Sequence, residues 1–150
     1  MKKLLFGLMA AVMLISTGCS KDDILGTSGG EAKVTIEGKS YTFGKLCWVD
    51  ATFNSTTTYT ISNYDSQADE IYITLSTKKV GAITMDSAND IEITIGNDIY
   101  TSQSGTITTT AFDKSINGSF KGVFKKAGDT AKTYNVEGTF TSSVVSLGSF

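Results

Sequence analysis

The thiol of Cys19 is the group in this 150-residue chain with the plainest chemistry. It follows Ser16-Thr17-Gly18, small residues that give a signal peptidase room to cut just before the cysteine. A cysteine exposed in this way takes a diacylglycerol on its sulfur and becomes the lipid-bearing first residue of the mature chain. Ser16 stands where a leucine-like residue is usual. Upstream, Met1-Lys2-Lys3 is a positive start and Leu4 to Ile15 an uncharged apolar run. Twelve residues at ~1.5 Å each reach about 18 Å, short of the ~30 Å hydrocarbon core, so the run reads as an export signal and not as a transmembrane helix.

Other chemistry is limited by what the chain lacks. It has no His and no Pro, and its basic residues are all Lys. Without imidazole there is no histidine base or histidine metal ligand. Asp50, Glu70 and Glu92 lie in strand-like segments, and glycoside hydrolysis would need two such acids flanking one bond. Their positions in the sequence do not show any two converging, so the chain is read as not an enzyme. Asp86, Asn89 and Asp90 crowd one loop, where oxygen ligands would suit Ca²⁺, but a turn explains the same residues, and no metal or cofactor is expected. Removing Lys2 and Lys3 leaves 11 lysines against 15 acids, a net charge of −4. Such a balance, without Arg, argues against nucleic acid as a partner. If Cys19 carries lipid, Cys47 has no disulfide partner in the chain and reads as a buried, inert thiol.

Aromatic rings are the better binding signal. Trp48 shares a strand face with Asp50, and Tyr72 lies between Glu70 and Thr74 on an alternating strand. An exposed ring beside acids and hydroxyls suits a sugar or peptide, because the ring covers C–H surface while the polar groups set orientation. Trp48, Asp50 and Tyr72 are therefore candidate ligand contacts. The competing reading puts Trp48 in the core of a strand buried on both faces.

The elements that must position these residues are strands. Thr, Ser and β-branched residues dominate, and apolar positions recur with period two. Val34–Ile36 and Tyr41–Phe43 flank Glu37-Gly38-Lys39 as a hairpin. In Leu46–Phe53, the face carrying Cys47, Val49, Ala51 and Phe53 is read as core. Strands are expected around Tyr59–Ile61, Ile71–Leu75, Val80–Met85, Ile91–Ile95 and Ile99–Thr101. Three long final strands follow, at Gly105–Phe112, Ser115–Lys126 and Ala131–Ser142, with a possible edge strand at Val144–Leu147. An echo runs through them: Ile116-Asn117-Gly118-Ser119-Phe120 and Val136-Glu137-Gly138-Thr139-Phe140 both read [IV]-x-G-[ST]-F. The apolar residue, the Gly and the Phe share one face, so the strands can bend at the bare Gly or a neighbouring ring can cover it.

These residues carry a resemblance. Ser104 to Thr109, the two [IV]-x-G-[ST]-F strands, Ile71 to Leu75, Val80-Gly81 and the Val34 to Phe43 hairpin resemble a family of uncharacterised outer-membrane and surface lipoproteins of Bacteroidota, over about residues 33 to 142. Thr109 replaces an aliphatic of that pattern. The family implies no activity. Ser20-Lys21-Asp22-Asp23 resembles the signal that carries such lipoproteins to the cell surface, and equally suits a solvated tether. Asp86-Ser87-Ala88 and Asp129-Thr130-Ala131 resemble the acceptor for O-glycosylation of exported proteins in that group, with Ser87 and Thr130 as acceptors.

Together these observations predict a signal peptide at 1–18, a lipidated cysteine and tether at 19–32, and one all-β domain at 33–150. The fold is expected to be an antiparallel β-sandwich or a flattened, calycin-like barrel of about eight to ten strands. The expected product is a monomer held in outer-membrane lipid through Cys19, at the cell surface or, alternatively, on the periplasmic leaflet. Its expected role is as a binding or accessory module for a glycan, peptide or partner protein. A calycin-like carrier enclosing an apolar ligand among Tyr59, Ile71, Ile73, Ile91, Ile93, Phe120 and Phe140 is the alternative, and a glycoside-acting enzyme the least favoured.

Overall fold

A computed structural model describes residues 29–63 and 69–144. The signal segment, Cys19, Ser20 to Asp23, the tether up to residue 28 and the expected edge-strand residues Val145 to Leu147 lie outside the described residues. Nine strands alternate with short turns: β1 (Gly30–Ile36), β2 (Lys39–Phe53), β3 (Thr56–Asn63), β4 (Glu70–Leu75), β5 (Gly81–Thr84), β6 (Ile91–Ile95), β7 (Asp98–Phe112), β8 (Ser115–Lys126) and β9 (Asp129–Val144). Eight of them close in the order β1-β2-β3-β4-β6-β7-β8-β9, and β9 returns to β1, every neighbour antiparallel. The fold is thus a closed, calycin-like barrel and not a sandwich. The ninth strand, β5, pairs with the outer half of β7, Thr106 to Thr109.

Turn chemistry sets the hairpins. Glu37 and Gly38, then Asn54 and Ser55, adopt positive φ, the two-residue geometry that matches the twist of the flanking strands. Where β1 begins, β9 pairs directly and in parallel with β2 through Cys47–Ser143 and Trp48–Val144. Gly30 fills that seam, and a β-carbon on it would run into the Thr141 carbonyl.

Two bulges correct the reading of the sequence. Tyr41–Phe43 and Leu46–Phe53 are one strand, with Lys45 inserted at φ 58°. One extra residue shifts the alternation by one, so every later side chain changes face. Leu46 and Trp48 therefore point inward, Trp48 opposite the buried Ile61, while Val49 and Ala51 are only partly covered and Phe53 is 75% exposed. The face assigned to the core is thus the outer one, although Cys47 on it is buried. Likewise Ile99–Thr101 and Gly105–Phe112 belong to one strand, and Gln103 is a bulge where a linker was expected.

The interior is filled. Ala32, Val34, Ile36, Phe43, Leu46, Ile61, Ile71, Ile73, Leu75, Ile91, Ile93, Ile107, Ile116, Phe120, Phe124, Val136 and Phe140 belong to one buried cluster. The sequence echo is its central contact. Phe120 lies opposite Gly138, and Phe140 opposite Gly118. A β-carbon on Gly138 would sit 2.7 Å from the Phe120 ring and 2.7 Å from the Lys33 carbonyl, and one on Gly118 would sit 2.9 Å from the Phe140 ring. Each Phe of one repeat covers the bare Gly of the other. A second glycine pair, Gly105 and Gly122, lies under the Met85 sulfur. Thr109 stands at a position of aliphatic character but is 1% exposed; its hydroxyl donates to the Lys79 carbonyl and accepts from the Gly81 N–H, which fixes the entry to β5.

Gly138→Ala is expected to destabilise the barrel by about 1–3 kcal/mol in chemical denaturation, because both the ring and a backbone carbonyl must move. Gly44→Ala, where a β-carbon meets nothing within 4 Å, should change stability by less than about 0.5 kcal/mol.

Candidate functional site

The three expected ligand contacts do not converge. Trp48 is 8% exposed and packs inside one end of the barrel against Tyr59 and Phe112, with ring centroids 6.2 and 6.3 Å away. Its indole N–H is buried without a partner among the described residues, a cost offset by the packing of three rings. Asp50 continues that inward-facing row at the exposed end of β2, opposite Tyr59. Tyr72 faces outward on β4, 37% exposed, in a row with Ser62 on one side and Glu92 on the other. Trp48 and Tyr72 thus lie on opposite faces of the barrel wall.

Carboxylates gather on that outer wall. Burial, then Asp90 and Glu70, push the Glu92 carboxyl above its ordinary range. They share that outer face with the Tyr72 ring, which stands directly across from Glu92. Around β5, Asp86 Oδ1 accepts from the Ala88 N–H (2.8 Å), the Asn89 N–H (2.9 Å) and the Asn89 side-chain amide (3.0 Å). These bonds hold the Asp86 carboxyl below its ordinary range, the Ala88 bond being the largest cause. Asn89 Oδ1 in turn accepts from the Ser76 N–H and hydroxyl, both at 2.9 Å. The Asp86–Asp90 loop is a turn that closes on itself, with Ser87 exposed on it. Among the described residues no group of three or more His, Cys, Asp or Glu converges to hold a metal. Thr130 follows the β8–β9 turn, and its side chain lies outside the described residues.

A shallow groove of about 490 Å³ runs over β1, β9, β8 and β7. Two cross-strand rows line it: Lys33–Thr139–Ser119–Thr108 and Thr35–Glu137–Lys121–Thr106. Its charges are solvated, Lys121 and Glu137 meeting at 3.6 Å with both side chains more than half exposed. Phe120 turns its ring inward, so the groove offers no aromatic face. Exchanging water for such contacts yields little.

The end of the barrel at the β1–β2, β6–β7 and β8–β9 turns is built differently. Tyr41, Tyr100 and Tyr134 stand opposite Val34, Ile93 and Phe124, which places all three on the inward face directly above the core. Two residues nearer each turn, on the same face, come Lys39, Asp98 and Lys132. Tyr100 and Tyr134 meet edge to face at 5.3 Å and 84°. Lys132 Nζ lies 4.5 Å over the Tyr134 ring and Lys39 Nζ 5.1 Å over the Tyr41 ring, contacts worth about 0.5–1 kcal/mol when exposed. Lys126, paired across from Tyr100, binds Asp98 at 2.8 Å, which raises the Lys126 ammonium. The Tyr134 hydroxyl donates to Asp129 Oδ2 at 3.3 Å, and Asp129 Oδ1 accepts from the Lys132 N–H at 3.1 Å. Burial, then Asp98, raises the Tyr100 hydroxyl; Lys126 and Lys39 act on it in the opposite sense, which ties β2, β7 and β8 into one electrostatic cluster. Burial, then Asp129, raises Tyr134.

This mouth therefore has layers: an apolar floor, a ring of three tyrosines, and a rim of three lysines and two aspartates. It offers aromatic faces, ammonium donors and carboxylate acceptors together. None of its tyrosines was among the expected site residues. The signal that points to two of them is Lys39-Ser40-Tyr41 and Lys132-Thr133-Tyr134, the triple K-[ST]-Y repeated just after a hairpin turn.

Comparison with family models, with curated proteins and with solved structures returns no match for the chain.

Glu92→Gln tests the outer wall. A carboxyl raised by burial is costlier to ionise in the folded state, so its favourable, protonated contribution is present below the unfolded pKa and lost as pH rises through the folded one. The variant should therefore be more stable than the parent at pH 7, by less than about 1 kcal/mol because the group is partly solvated, with the gain disappearing on acidification. Thermal denaturation across pH reads this directly; an unchanged gain at acid pH would contradict it.

Proposed function

We propose that this chain is a binding module, lipid-anchored through Cys19, that recognises its ligand at the tyrosine–lysine mouth of the barrel. The observation that carries this reading is the contrast between interior and rim. Ile71, Ile73, Ile91, Ile93, Phe120 and Phe140 are packed into one cluster, with Tyr59 against it, which counts against a carrier with an apolar interior cavity. The mouth, by comparison, keeps half-buried rings and unspent donors at the surface. Covering one tyrosine face at about 25 cal/mol per Å² supplies more binding free energy than the solvated pairs of the outer groove.

The anchor sets the setting. Cys19 in its Ser16-Thr17-Gly18 context supports attachment to outer-membrane lipid, and Ser20-Lys21-Asp22-Asp23 supports display at the cell surface. Such a chain acts by holding a recognition surface at a membrane, and its resemblance to Bacteroidota lipoproteins agrees with that role.

Cys19→Ser is expected to abolish labelling by a palmitate analogue and to move the protein from the membrane fraction to the soluble one. A variant still labelled and membrane-bound would contradict the anchor. On an array of glycans and peptides probed with the full chain, Tyr134→Ala should weaken every retained ligand about tenfold, as expected for an aromatic hot spot, while Trp48→Phe should leave binding unchanged. The reverse pattern would move recognition to the opposite end of the barrel.

A further inference from the structure

Resting on the reading of the mouth as the recognition site, we propose that its ligand is an acidic saccharide, a sugar carrying carboxylate or sulfate. The charge distribution points to an anion. The mature chain is net acidic, yet this end gathers Lys39, Lys126 and Lys132 from three strands around one ring of phenols. Among the described residues, Lys126 is bound to Asp98, whereas Lys39 and Lys132 rest on tyrosine rings and have no carboxylate within ion-pair distance. A cation held over a ring stays in place and keeps its N–H donors for an incoming acceptor.

The remaining groups point to a sugar. Tyr41 and Tyr134 are partly buried, each with a lysine over one ring face, and the ring area the lysine leaves uncovered suits the C–H surface of a pyranose. Asp98 and Asp129 each hold one side of the rim, and a carboxylate accepts more bonds than the one or two each makes here. Those free lone pairs match neighbouring sugar hydroxyls. A phosphate-led ligand would favour Arg or a nest of backbone N–H groups, and the chain has no Arg. An acidic peptide matches the lysines but brings no vicinal hydroxyls for Asp98 and Asp129.

The test is calorimetry on the full chain in detergent micelles, with four probes: trigalacturonate, its methyl ester, a chondroitin sulfate disaccharide and pentaglutamate. One or both acidic sugars should bind, the ester and pentaglutamate should not, and raising salt from about 20 to about 300 mM should weaken binding severalfold. Lys39→Gln with Lys132→Gln should cost at least about tenfold, whereas Lys33→Gln with Lys121→Gln on the outer groove should cost nothing. Trp48 emission, from the one buried tryptophan, confirms that each variant is folded. Equal binding of the ester would overturn the inference; if Tyr134→Ala still weakened that binding, the mouth would stand as the recognition site. Binding of pentaglutamate as tight as that of the sugars would replace the saccharide by an acidic peptide. No binding of either acidic sugar would also overturn the inference, and binding that ignores every mouth substitution would overturn the mouth itself.

Discussion

Phe120 over Gly138 and Phe140 over Gly118 form the contact on which the barrel depends. Two bare glycines on neighbouring strands receive two rings that a β-carbon at either position would crowd below 3 Å. The ring centroids lie 6.5 Å apart. With them in place, Ile71 and Ile73 of β4 and Ile91 and Ile93 of β6 are fully buried, and Ile95 is partly covered at the end of β6. A closed barrel has no exposed edge through which it could pair with another chain, apart from the short β5 laid on β7.

A filled interior passes the work of recognition to the surface. The two ends of the barrel then differ for a physical reason. At one end Trp48, Tyr59 and Phe112 pack against each other and finish the core. At the other, the same structural task falls to tyrosines, whose rings complete the core while lysines and aspartates stand beside them at the rim. The second solution leaves chemistry at the rim, and the first leaves almost none.

Much of the barrel was legible in the chain because period-two alternation and positive-φ turns are local signals. Ile71–Leu75 and Ile91–Ile95 fall where the alternation puts them, and the Glu37-Gly38-Lys39 bend turns as expected. The repeated Gly and Phe also announced a ring over a bare backbone. The bulges left no such signal: Lys45 is an ordinary lysine, and only the pairing of β2 with both β1 and β3 forces it into the left-handed region. That one residue inverted the assignment of the core face along Leu46–Phe53. The mouth was missed for a different reason. Tyr41, Tyr100 and Tyr134 lie up to 93 positions apart, and only barrel closure brings them to one end.

The central claim, that the interior is occupied and recognition happens at the tyrosine–lysine mouth, is tested most directly by mapping chemical shifts on titration with an acidic trisaccharide. The account predicts perturbations at Tyr41, Tyr100, Tyr134 and the lysines beside them, with the methyl signals of Ile71 and Ile93 unmoved. Large shifts at those interior isoleucines, with the tyrosines silent, would contradict it.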